Sequence, residues 1–181
     1  MRSGPPLNDL SFRSRPIRGL ESMTLHDMQI RRYRCGDRGA VWRLHNLALR
    51  QVDAHPGSGP WDRDLHHVEA EYLAADGEFL VGVIGERVVA MGALKRHTDR
   101  CAEIVRMRVH PDVQRCGLGT RLLVALERCA RQRGVTRLLV ETTAEQKAAL
   151  RLYQGSGYRE TGRWPRRRFE VVALEKNGRI S

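Results

Sequence analysis

The run Val109-His110-Pro111-Asp112-Val113-Gln114-Arg115-Cys116-Gly117-Leu118-Gly119-Thr120 holds the densest chemistry in this chain of 181 residues. A strand-like segment ends at His110-Pro111, a loop with two glycines follows, and a long amphipathic helix opens directly out of it. The first N–H groups of such a helix have no acceptor within it, and its dipole favours negative charge there. Gly117 and Gly119 leave out the Cβ atoms that would hold an anion away from the backbone. The arrangement is a phosphate cradle; a tight strand-to-helix turn with no ligand is the plainer alternative. A dinucleotide fingerprint would need glycine where Leu122 stands, and a P-loop would need Gly-Lys-Ser/Thr, whereas the only lysine nearby in sequence is Lys95 on another segment.

The elements that position this loop follow from periodicity. Gln29 to Tyr33 reads as a strand. A helix over 38–50 places Val41, Leu44, Leu47 and Ala48 at helical spacing, and a second over 64–75 follows the turn residues Pro56-Gly57-Ser58-Gly59-Pro60, with Asp62 or Asp64 as its N-cap. The runs 79–84 and 87–94 around Gly85-Glu86 predict a hairpin. A strand over 102–109 and the amphipathic helix 118–133, stopped by Gly134, flank the loop. A short strand at 137–141, a helix over 145–154, and two strands at 158–164 and 169–174 joined around Pro165 complete the chain. The order β-α-α-β-β-β-α-β-α-β-β is that of one α/β domain with a mixed sheet. It spans 28–176, between a flexible basic tail (1–27) and a C-terminal tail (177–181).

Composition narrows the partners. The chain carries 32 Lys+Arg against 21 Asp+Glu, net +11, and only Lys95, Lys147 and Lys176 are lysine. An arginine-rich surface suits phosphate and carboxylate, although base composition of the coding sequence explains the Arg/Lys ratio equally well. Nucleic-acid binding by stacking wants aromatics among the arginines, and aromatics are 6% of the chain. No run approaches the length of a spanning helix, the first residues lack a secretory pattern, and the cytoplasm is the expected compartment. Cys35, Cys101, Cys116 and Cys129 form no metal-ligand spacing, so no metal is expected.

With its two motifs the chain resembles the GCN5-related N-acetyltransferase (GNAT) superfamily. Gln114-Arg115-Cys116-Gly117-Leu118-Gly119, after Val109-His110-Pro111, fits its acetyl-CoA motif, Gln/Arg-x-x-Gly-x-Gly/Ala. The second pattern, Asn-x-x-Ala-x-x-Leu-Tyr-x-x-x-Gly-Phe, is met by Gln146, Ala149, Leu152, Tyr153, Gly157 and Tyr158, with Gln for Asn and Tyr for Phe. The resemblance covers about 29–175. It implies a twisted, mostly antiparallel mixed sheet of six to seven strands with about four helices, and direct acetyl transfer from acetyl-CoA to a primary amine in a ternary complex.

Carried onto this sequence, the resemblance assigns coenzyme binding to Met107, Arg108, Val109, Gln114, Arg115, Cys116, Gly117, Leu118, Gly119, Thr120, Gln146 and Tyr153. Arg115, together with Arg121, would meet the coenzyme phosphates. A backbone N–H of Met107 or Arg108 would hold the oxyanion, Tyr153 would be the acid, and Glu103 the base, acting through a water, with Glu141 as the fallback. A core tyrosine under the cofactor, and a salt bridge from Glu103 to an arginine on a neighbouring strand, are the competing explanations. Acceptor contacts would come from His45, Gln51, Asp53, His55, Trp61, Asp62 and His66 on one side and 164–168 on the other. A small-molecule amine leads, with a protein N-terminus or lysine behind it. A non-catalytic acyl-CoA-binding module is the reading from another class. No membrane or nucleic-acid partner is expected, and a homodimer is left open.

Overall fold

The computed structural model describes residues 28–51 and 60–178. The expected tail over 1–27, the acceptor candidates Asp53 and His55, the loop residues 56–59 and the side chains of Gln51 and Trp61 lie outside this description. In chain order the elements are β1 (Gln29–Arg32), α1 (Arg38–Gln51), β2 (Glu78–Ile84), β3 (Arg87–Arg96), β4 (Cys101–Val109), α2 (Leu118–Gln132), β5 (Arg137–Thr143), α3 (Lys147–Gly155), β6 (Arg159–Arg166) and β7 (Phe169–Asn177). They build a seven-stranded sheet in the order β1-β2-β3-β4-β5-β7-β6. Every neighbouring pair is antiparallel except β4 and β5.

Strand β2 shows why the sheet lies between two helical layers. All seven of its residues are buried, as expected of a strand covered on both faces. Alternation sends Phe79, Val81 and Val83 to a cluster with Val41 and Leu44 of α1. Leu80 and Ile84 join Leu118, Leu122 and Leu126 of α2 on the other face. Close approach of α2 depends on Gly92 of β3, where an added Cβ would stand 2.6 Å from Met107 Sδ and 2.9 Å from Leu126 Cδ1.

Three expectations are corrected. The regular helix over 64–75 is instead a 3-10 segment, Pro60–His66, followed by one π turn, Glu69–Leu73. Leu65, Val68 and Tyr72 are buried at helical spacing, which explains the sequence signal. The helix is interrupted where Asp62 and Asp64 reach across to Arg106 (Asp62 Oδ1 at 2.8 Å, Asp64 Oδ2 at 2.9 Å) rather than capping a helix. The β6–β7 turn does not centre on Pro165, which pairs with Glu170 inside β6; the turn lies at Arg167-Arg168, with Arg167 at φ 57°. Proline is tolerated because β6 is the edge strand. Asn177, expected in the tail, is the last residue of β7 and pairs with Arg137.

Candidate active site

The site begins where two strands part. Parallel pairing of β4 with β5 runs only from Cys101↔Arg137 to Ile104↔Val140, although both strands continue beyond it. On its other edge β4 is bulged: Met91 pairs with Arg108 and Ala93 with Val105, so two residues of β4 oppose Gly92. Arg106 takes the strain, with φ at 59°. The bulge also resets the alternation, so Ala102, Ile104, Met107 and Val109 pack toward α2 while Val105 packs toward α1.

Strand parity then decides which backbone groups face the opening. His110 donates its N–H to Val89 across β3 (2.8 Å), and residues two apart point the same way. Arg108 therefore faces β3, and Met107 and Val109 turn their N–H and C=O groups to the parted edge. Side chains reach those carbonyls from that side: Arg108 Nη1 donates to Met107 O (2.7 Å) and Gln114 Nε2 to Val109 O (3.0 Å).

Past the strand end, a 3-10 turn at Pro111–Val113 leads into the glycine loop. Arg115 and Gly117 both have positive φ, 60° and 76°, and a Cβ added at Gly117 would meet nothing within 4 Å. Glycine at 117 thus serves the left-handed turn, and the space beside it is open. The first intrahelical bond of α2 is Arg121 N–H to Gly117 O (3.0 Å), which leaves the N–H groups of Leu118, Gly119 and Thr120 without an acceptor in the helix. These features fit a phosphate. Cys116 donates its thiol to Gln114 O (3.3 Å), and Arg121 Nη2 is bonded to Met28 O (2.7 Å), which ties α2 to the start of β1.

At the other end of the parted strands lies a cavity of about 570 Å³, lined by Glu103, Met107, Arg108, Gln146 and Tyr153 among others. Five separate sequence candidates are brought together there, while residues 114–120 stand apart at the cradle. Tyr153 is buried against Tyr158, with ring centroids 5.7 Å apart. Burial pushes its phenol up to about 12, opposed by the positive charge of Arg108. Glu103 pairs with His97 Nε2 at 3.1 Å and sits opposite Lys95 of β3. The neighbour that holds it is thus a histidine, not the arginine weighed in the sequence. Glu141 meets Arg166 at 3.1 Å.

Sequence reasoning missed the ionic cluster behind this cavity. Arg106 binds Asp62 and Asp64, Asp64 also accepts from the Tyr72 hydroxyl, and Asp62 Oδ1 lies 3.1 Å from His45 Nε2. His45 is fully buried and its Nδ1 has no hydrogen-bond partner. Burial, then the charge of Arg108, lower its pKa to about 4, so it is neutral at pH 7. Arg108 is itself lowered to about 10, first by burial and then by Arg106. The available signal was the pair Arg106 and Arg108 which, with Glu103, are the charged residues of an otherwise apolar central strand. His45, Arg108, Glu141, Gln146 and Arg166 also line a second cavity of about 450 Å³.

Comparison with known proteins gives the family and the fold. The Acetyltransferase (GNAT) family model matches residues 42–158. A mycothiol acetyltransferase of Acidothermus cellulolyticus is 28% identical over 152 residues, which is 75% of this chain and 46% of that protein. The chain spans less than half the length of the mycothiol acetyltransferases it matches. An acetyltransferase from Streptococcus agalactiae superposes with a TM-score of 0.76 at 20% identity, covering 83% of this chain and 98% of that one. The acetyltransferase yncA of Salmonella typhimurium, solved with acetyl-CoA, gives 0.69 at 22% identity over 83% and 93% of the two chains.

Proposed function

Because the chain belongs to the acetyltransferase (GNAT) family, we propose that it transfers an acetyl group from acetyl-CoA to a primary amine of a small molecule. The observation that carries this reading is the parting of β4 from β5 between an anion cradle and a cavity holding Glu103 and Tyr153. The N–H groups at the start of α2 would hold the pyrophosphate, with Arg115 beside them. The exposed edge at Met107 and Val109 would pair with the pantetheine arm as an added strand does.

When bound, the thioester supplies an electrophilic carbonyl, at which a C–N bond forms to the amine and the C–S bond to the coenzyme breaks. The Met107 N–H, turned to the open edge, would donate to the oxyanion. Arg108, the other candidate, directs its own N–H toward β3. Glu103 would take the ammonium proton through a water; its partner is the His97 imidazole, whereas Glu141 is held by the Arg166 guanidinium. Tyr153, protonated at neutral pH, would give its proton to the departing thiolate. Cavities of this size suit a small acceptor.

The test is calorimetric titration with acetyl-CoA, followed by free-thiol release across a panel of amines. Binding together with amine-dependent release supports the proposal. Binding without turnover on any amine would indicate a non-catalytic acyl-CoA-binding module instead.

A further inference from the structure

Resting on the acetyl-transfer reading, a further inference concerns the acceptor. The Arg108 guanidinium carries five N–H donors. Among the described residues its hydrogen bond is from Nη1 to the Met107 carbonyl, and its Nε is buried without any partner. Four acids around it are committed elsewhere: Asp62 and Asp64 to Arg106, Glu141 to Arg166, and Glu103 to His97. With His45 neutral, the formal charges of Asp62, Asp64, Arg106 and Arg108 cancel. What Arg108 lacks is therefore a hydrogen-bond acceptor at Nε rather than counter-charge, and a buried N–H without an acceptor is costly.

Arg108 lines both cavities, and the second is bounded by Arg106, Arg108, Arg166 and Arg167 against the carboxylates of Asp62 and Glu141. A planar pair of anionic oxygens completes such a fork in two parallel bonds. We propose that the acceptor is a small amine that also bears a carboxylate, an amino acid or a close relative of one, and that Arg108 binds this carboxylate. Glu103 and Tyr153 line the first of these cavities together with Arg108, so a carboxylate held at Arg108 keeps the amine of the same molecule beside them. A peptide N-terminus presents an amide at that place and a polyamine a second cation, and neither completes the fork.

The experiment uses the full chain. Acetyl-CoA affinity is measured first by calorimetry. The kcat/KM for thiol release is then compared for each of the twenty standard amino acids, its carboxamide and its decarboxylated amine. The best acid is expected to exceed its carboxamide by about 100-fold or more, because an unfilled buried polar site discriminates strongly. Arg108→Met should bring that ratio within about threefold, mainly through the acceptor KM, acid and carboxamide being compared at saturating acetyl-CoA because Arg108 also bonds the Met107 carbonyl on the coenzyme edge. Arg108→Lys, which keeps the charge, should restore part of it if the Met variant folds poorly. Equal rates for acid and carboxamide, preference for the decarboxylated amine, or a ratio that survives Arg108→Met would overturn the inference. Acetyl-CoA binding with turnover only of amines lacking a carboxylate also overturns it while the transferase reading stands. Failure to bind acetyl-CoA overturns the premise and the inference together.

Discussion

Two buried ionic clusters lie on opposite faces of the sheet, and they are completed in different ways. On the α2 side, Lys176 of β7 bonds Glu127 of α2 at 2.9 Å, both nearly solvent-free. The Lys176 ammonium stands 5.6 Å from the Tyr158 ring centroid, and burial together with Glu127 raises the Tyr158 phenol well above its usual range. Charge meets charge there, and no cavity adjoins the pair among those described. On the α1 side, Arg106 is bound by two aspartates, yet Arg108 beside it keeps a buried Nε without a partner, and the cluster opens on two cavities. On the α2 side, Glu127 Oε1 and the Tyr158 hydroxyl have no hydrogen-bond partner either, but with no described cavity beside them the ion pair only joins elements together. A cluster that leaves a donor beside a cavity is positioned for a ligand.

This contrast can be broken by mutation. The largest expected effect is on the closed cluster: Lys176→Met leaves Glu127 buried and unpaired and should cost about 3–5 kcal/mol in urea unfolding. Adding Glu127→Leu should recover most of that loss, and neither change should alter the acetyl-CoA affinity of the folded fraction. On the open side, Glu103→Gln should leave unfolding nearly unchanged and lower kcat by about 100- to 1,000-fold. Unchanged turnover at saturating substrates would remove Glu103 from the mechanism.

Next in size is a pH effect. His45 titrates near 4 in the folded state against a usual 6.5, so the unfolded chain binds the extra proton between these values. Stability is then fully present above pH 6.5 and falls by about 2–3 kcal/mol as pH drops toward 4. His45→Gln should flatten that part of the profile, and a slope retained in the variant would assign it to another group. The smallest effect is expected for Arg166→Ala: this exposed partner of Glu141 should change stability by less than about 1 kcal/mol, with the kinetic consequence confined to the acceptor KM. A comparable loss from Arg166→Ala and Lys176→Met would erase the distinction between the clusters.

Legibility in the sequence followed how local each signal was. The β2–β3 hairpin, α2 and the strand-loop-helix unit around Gly117 are written in contiguous periodicity and turn residues, and they stand where the pattern put them. The stretch 60–73 misled because the burial spacing of Leu65, Val68 and Tyr72 is helical, whereas its backbone answers to Arg106, more than forty residues away. Pro165 misled for a similar reason, since a proline ends a strand only where its missing N–H is needed, and edge position is not a local property. The grouping of Glu103, Met107, Arg108, Gln146 and Tyr153 around one cavity came from the motifs and the family resemblance rather than from spacing alone.

By itself the sequence determined the α/β layering, the strand-loop-helix unit with its glycines at the start of α2, and the family, because each depends on neighbours within a dozen residues or on motifs read in order. Only the tertiary structure decided that β4 bulges at Arg106, that Met107 rather than Arg108 turns its backbone to the parted edge, and that the Arg108 Nε is left buried without a partner. Those facts arise from register between strands and from ion pairs across the fold. No local pattern encodes either, since both are set by which distant segments come to lie side by side.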